Sequence, residues 1–159
     1  MKPFRPVRVA VIGCGMISDV YLSNLTKRYN AVEVVGVSDI KPERSAAKAE
    51  KYGVKQMTNE EIWNDPTIEL VVNLTYHTSH YEVSKNSLLA GKHVYGEKMM
   101  AVELDEGLDL IETAKRLGLY CCGAPDTYLG AGLQTARQIY DSGILGSAVA
   151  ANITLVRGY

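Results

Sequence analysis

Three groups of residues could do chemistry: Gly13-Cys14-Gly15, the carboxylate of Asp39, and the adjacent pair Glu97-Lys98. The glycines follow the apolar run Val9-Ala10-Val11-Ile12 and read as a tight turn from a buried strand into a helix. Such a turn binds phosphate. Gly13 lets the backbone turn sharply, Gly15 removes a side chain where a pyrophosphate comes close, and the amides opening the helix at Met16 and Ile17 point at the anion. Ser18 stands where a third small residue packs helix against strand. Asp39 follows it by 21 residues and closes the run Val32–Ser38, the spacing of a carboxylate that meets the adenosine ribose hydroxyls. Its charge favours NAD by repelling the 2′-phosphate of NADP; Lys41 and Arg44 lie close enough in sequence to offset part of that repulsion and keep NADP open. The alternative for Asp39 is capping of a helix that begins near Pro42.

The elements that must position these residues alternate along the chain. Ile17, Val20, Tyr21 and Leu25 follow helical spacing and form the face expected on a sheet. Pro42 and Gly53 bracket a second helix, 42–52, and a short third strand fits 54–57. Thr58 and Glu61 have capping-box spacing, as do Ser79 and Glu82, which predicts a brief helix through Trp63 and another over 80–90. Between them, Leu70–Thr75 is a continuous apolar strand of the kind buried on both faces of a parallel sheet. In such sheets ligands sit beyond the carboxyl ends of the strands, so Asn73, Thr75, Tyr76 and His77 are candidates for lining a cofactor cleft. His93–Gly96 is the next strand and delivers Glu97 and Lys98 to the same edge. A surface salt bridge is the bland reading of that pair. A long helix with Leu104, Leu108, Ile111 and Leu117 on or near one face precedes a sixth strand, 119–123. Six strands alternating with helices predict an α/β, doubly wound parallel sheet, the Rossmann arrangement, over 1–125. Residues 126–159 then add a helix, 130–143, and an alternating strand, 148–157, whose exposed edge calls for a partner such as a second copy of the chain.

Composition narrows the class. The chain has 159 residues, 47% of them hydrophobic, which suits a soluble globular domain with a core. Seventeen basic residues against 18 acidic ones, with no long basic run, argue against a nucleic-acid partner, and no stretch is long and apolar enough for a membrane span. Cys14, Cys121 and Cys122 are odd in number and lack metal-site spacing, which predicts no metal site and a reduced cytoplasmic protein.

Taken together, Gly13-Cys-Gly15, Asp39, Asn73-Leu-Thr75, His80 and Ala90-Gly-Lys-His-Val-Tyr-Gly-Glu97-Lys98 closely resemble the glucose-fructose oxidoreductase and inositol dehydrogenase family. The resemblance covers nearly the whole chain, and the stretch ending in Glu97-Lys98 is its most specific part. It implies an N-terminal Rossmann domain followed by a sheet domain that supplies much of the substrate site. It also implies NAD or NADP as cofactor, and hydride transfer to or from a sugar or polyol. By the same resemblance Lys98 is the catalytic-motif lysine, Glu97 orients the cofactor or the lysine, and His80 lies near the cofactor. Two departures stand out: Met99-Met100 replaces the proline that usually follows the lysine, and no His here has an Asp four residues before it, so the second domain's Asp and His have no counterpart. The chain is therefore expected to be incomplete for catalysis, stopping where a second sheet domain would begin. A different class, a non-catalytic nucleotide-binding or regulatory module that pairs with another chain, is the alternative.

Overall fold

A computed structural model describes residues 5–124, 127–154 and 156. The chain divides into two compact units, residues 1–124 and 125–159.

In the first unit, six strands alternate with helices: β1 (Val7–Ile12), α1 (Ser18–Lys27), β2 (Val32–Ser38), α2 (Pro42–Tyr52), β3 (Lys55–Gln56), α3 (Asn59–Asn64), β4 (Leu70–Asn73), α4 (His80–Leu89), β5 (His93–Glu97), α5 (Leu104–Leu117) and β6 (Cys121–Ala124). They form one sheet in the order β3-β2-β1-β4-β5-β6, every neighbouring pair parallel. The order reverses direction at β1, which is the doubly wound topology with its switch point between β1 and β4.

The two-residue period of β1 decides what each face receives. Val9 and Val11 pack with Leu22 of α1, Ala49 of α2 and Val72 of β4 on one face. Ala10 and Ile12 pack with Ile62 of α3 and Val83 of α4 on the other. A third cluster, Leu88, Val94, Leu110 and Ala114, extends that second face under α5. Because both faces are covered, the central strands are apolar without alternation.

Several local expectations change. On α1 the buried positions are Ser18 and Leu22, while Val20 is exposed, because the helix turns its small residue toward the strand end. On α5, Leu104, Leu108 and Ile111 are exposed; the helix instead presents Leu110, Thr113 and Ala114 to the core. Smaller residues there let α5 approach closely, and Lys85 of α4 bonds both Asp109 and Thr113. The Thr58–Glu61 capping box forms in full. The Ser79–Glu82 box does not: Ser79 closes a short 3-10 turn, His77–Ser79, and stands at φ −104°, ψ −1° rather than in the extended conformation from which a side chain caps. No helix among the described residues is long and apolar enough to cross a membrane.

The second unit contains α6 (Ala131–Asp141), with an Arg137–Asp141 ion pair one turn apart. The strand expected over 148–157 is absent from its described part: residues 148–154 and 156 lack strand pairing and are exposed. A strand needs hydrogen-bonding partners, and none of the described residues pairs with this segment.

Candidate functional site

Register brings the carboxyl ends of four strands level. Ile12 lies opposite Ser38 on one side and Asn73 on the other, and Asn73 lies opposite Gly96. The residues that follow, Gly13, Asp39 and Leu74, therefore leave the sheet at one edge, where β5 also ends at Glu97. A cleft of about 980 Å³ runs along it, past Gly13, Gly15, Asp39, Thr58, Trp63 and Thr75. Another hollow, about 530 Å³, lies toward the amino ends of β1, β4 and β5 and is lined mainly by apolar and aromatic side chains.

The glycine turn is shaped by two different constraints. Gly13 has φ 105°, and a Cβ there would come within 2.4–2.6 Å of the Leu74 and Thr75 backbone, so only glycine fits. At Gly15 a Cβ would meet no protein atom within 4 Å. The space in front of it is open. Met16 is 95% exposed and Ile17 is exposed too, and both line the cleft. Among the described residues the amides of Gly15, Met16 and Ile17 have no acceptor. Three N–H groups at the start of a ten-residue helix thus face open space, as an anion seat requires. Ser18 suits the small-residue position because it is fully buried and its hydroxyl donates to the Gly15 carbonyl at 2.5 Å.

Asp39 is half-buried beside this turn. One carboxylate oxygen accepts from the Cys14 N–H at 2.7 Å and the other from the Lys41 N–H at 2.8 Å. It does not cap α2, whose first turn has no side-chain cap. Ile40 and Arg44 border the same part of the cleft.

Thr75 and Tyr76 line the cleft. Asn73 does not, because it is fully buried and spent on support. Its amide donates to the His80 carbonyl and Ser84 hydroxyl, each at 3.0 Å, and its oxygen accepts from the Thr75 N–H and hydroxyl. His80 is likewise buried, its ring nitrogens facing the carbonyls of Met99 and Thr75. His77 packs beside the ring of Tyr76, their centroids 4.0 Å apart.

Glu97 and Lys98 form no ion pair with each other. The Tyr21 hydroxyl donates to one Glu97 oxygen at 2.6 Å, and the Lys98 backbone N–H donates to the other at 3.2 Å. Lys98 itself is exposed, with no side-chain partner among the described residues, and the Lys98–Met99 peptide is cis. The cysteines carry no such chemistry. Burial, reinforced by Asp39, pushes the Cys14 thiol up to about 12, and burial pushes Cys121 up to about 11. Both stay protonated and unreactive near neutral pH. Among the described residues no cluster of His, Cys, Asp and Glu could hold a metal.

Sequence reasoning missed the far wall of the cleft, formed by Met57, Thr58, Asn59 and Trp63. Its signal was available: these residues follow β3, so they occupy the same carboxyl edge as Asp39.

Residues 7–123 match the model of an oxidoreductase family with an NAD-binding Rossmann fold. The inositol 2-dehydrogenase/D-chiro-inositol 3-dehydrogenase of Lactiplantibacillus plantarum is 32% identical over 121 residues, which cover 74% of this chain and 35% of that enzyme. The D-glucoside 3-dehydrogenase of Escherichia coli is 31% identical over 148 residues, covering 89% of this chain and 41% of the enzyme. The crystal structure of scyllo-inositol dehydrogenase from Lactobacillus casei, with NAD(H) and scyllo-inositol bound, superposes with a TM-score of 0.82 at 16% identity, covering 89% of this chain and 43% of that one. The chain thus spans well under half the length of these relatives.

Proposed function

Since the chain belongs to the oxidoreductase family built on an NAD-binding Rossmann fold, we propose that it is the cofactor-binding part of an enzyme that oxidises a sugar or polyol hydroxyl, or reduces the corresponding carbonyl. The observation that carries this reading is the open space before Gly15, faced by three amides without acceptors and flanked by the Asp39 carboxylate. A dinucleotide fits that arrangement. The amides of Gly15, Met16 and Ile17 would take the pyrophosphate, Asp39 the adenosine ribose, and Thr75 with Tyr76 the far end of the cleft. When bound, a nicotinamide supplies the site that accepts or gives up hydride.

The chain's own contribution to the chemistry is Lys98. An ammonium at that edge donates a hydrogen bond to the reacting oxygen and offsets negative charge developing on it, and its Nζ is where a proton is held or received. The exposed side chain, free of an ion pair, supports this role. Glu97 acts as an anchor for the strand end: its carboxylate takes both the Tyr21 hydroxyl and the Lys98 amide. Aligning a second reactant contributes roughly 7–11 kcal/mol in the best cases, so residues 1–124 alone are expected to bind cofactor without efficient turnover.

Thermal unfolding with NAD, NADH and NADP tests this. NAD or NADH at about 100 times its Kd adds about 2.7 kcal/mol and raises the midpoint by roughly 5–10 °C. A chain indifferent to every nicotinamide nucleotide would refute the proposal. We place the protein in the cytoplasm because Cys14, Cys121 and Cys122 are free thiols. Pairing between copies through residues 148–154 is supported by the near-complete exposure of Val149 and Ile153, and a chain that sediments as a monomer in analytical ultracentrifugation would exclude it.

A further inference from the structure

Of the three histidines only His80 is buried, at 3% exposure. Its Nδ1 faces the Met99 carbonyl at 2.5 Å and its Nε2 the Thr75 carbonyl at 3.0 Å. Carbonyl oxygens only accept, so each of these ring nitrogens must carry a proton to bond. A neutral imidazole has one such proton and an imidazolium has two. The two carbonyls belong to different parts of the site: Thr75 lies just past the end of β4, and Met99 follows Lys98 directly. The backbone of His80 is fixed in turn, since Asn73 donates to its carbonyl and also accepts from Thr75.

The ring's ionisable surroundings are few. Glu97 from β5 and Cys121 and Cys122 from β6 line the small hollow beside it. β4 contributes none. On α4, Glu82 faces the cofactor cleft, and Lys85 is paired with Asp109 of α5. In the preceding turn His77 packs beside Tyr76. Glu97 is the one carboxylate among the residues lining that hollow.

We propose that His80 is the positioning residue of the Lys98 turn: a ring carrying a proton on each nitrogen ties the Met99 carbonyl to the Thr75 carbonyl, whereas a ring with one proton can hold only one of them. This rests on the reading of Lys98 as the proton-carrying group. Lys98 would then be held firmly by the doubly protonated ring and less firmly by a neutral one.

The test uses the full chain, labelled with ¹⁵N, without ligand. Long-range ¹H–¹⁵N correlation of the imidazoles is followed from about pH 5.5 to 8.5, with His80 identified through His80→Gln. The expected result is a ring protonated at both nitrogens at the acid end, with the amide resonances of Lys98, Met99 and Met100 shifting at the same midpoint. In His80→Gln those amide resonances should stay flat across the range. A ring fixed throughout in one neutral tautomer overturns the proposal, as do Lys98–Met100 resonances that do not follow the ring. If His80→Gln fails to fold, His77→Gln and His93→Gln identify the third ring by elimination. NADH binding is scored separately: its absence in the unaltered chain would sink the proposed function, whereas the ring measurement alone decides the His80 tie.

Discussion

The Asp39 carboxylate accepts the Cys14 N–H at 2.7 Å, so the group proposed to meet a ribose is also the brace of the glycine turn. Its second oxygen holds the Lys41 N–H. Replacing Asp39 therefore does two things at once.

Asp39→Ala should lower unfolding free energy by about 1–3 kcal/mol even without cofactor, because two backbone donors lose a charged acceptor. Asp39→Asn keeps an acceptor for one of them and should cost less. Urea unfolding measures both, and an Asp39→Ala variant as stable as the parent would show that the brace contributes nothing.

The two glycines of the turn should separate folding from binding. Gly13→Ala forces a Cβ into the Leu74–Thr75 backbone at a positive φ and should cost about 3–5 kcal/mol. Gly15→Ala meets no protein atom, so it should fold normally yet bind NADH at least tenfold more weakly. The only tryptophan, Trp63, lines the cleft and provides the signal through energy transfer to bound NADH. Equal NADH affinity in Gly15→Ala would argue against a pyrophosphate at this turn.

Thr58→Ala removes the side-chain half of a complete capping box and should destabilise the chain by about 1 kcal/mol. Ser79→Ala removes a hydroxyl that caps nothing and should be close to neutral. Chemical denaturation of the two variants side by side checks the contrast.

Asp19 ties α1 to α2. Hydrogen bonds from Lys48, Lys51 and Tyr52 hold its carboxyl well below the usual carboxylate range. A carboxyl whose folded value is depressed stabilises the fold above its unfolded value, near 3.8, and loses that contribution as pH falls through the folded one. Asp19→Asn should thus unfold more easily than the parent at pH 7, with the difference shrinking below about pH 3.8. The side chain is 43% exposed, so water and salt screen the effect and the difference should be small. A gap independent of pH would mean the charge is not what matters.

The fold was legible because its strongest signals are periodic. The apolar runs of β1, β2 and β4, the glycine turn and the helix stop at Gly53 each stand in the order a parallel sheet needs. Facing was harder. On α5 the larger side chains, Leu104, Leu108 and Ile111, suggest a core stripe, yet the helix buries the smaller face around Ala114 because α4 lies close. At the site, position along a strand was readable and side-chain direction was not. Asn73 and His80 both stand near the strand edge that holds the cleft, but each turns inward and is consumed by buried hydrogen bonds. Trp63 and Met57 were missed because a two-residue strand such as β3 gives almost no pattern.

The switch point at β1 also governs how the chain is made. β1 is flanked by β2 and β4, and its second partner, Leu70–Asn73, lies far along the sequence. Until that segment has emerged from the ribosome, one side of the most apolar strand has nothing to pair with. Parallel sheets also have no hairpins with which to begin. The nascent chain therefore passes through a stage in which β1 has an open edge able to pair with another chain.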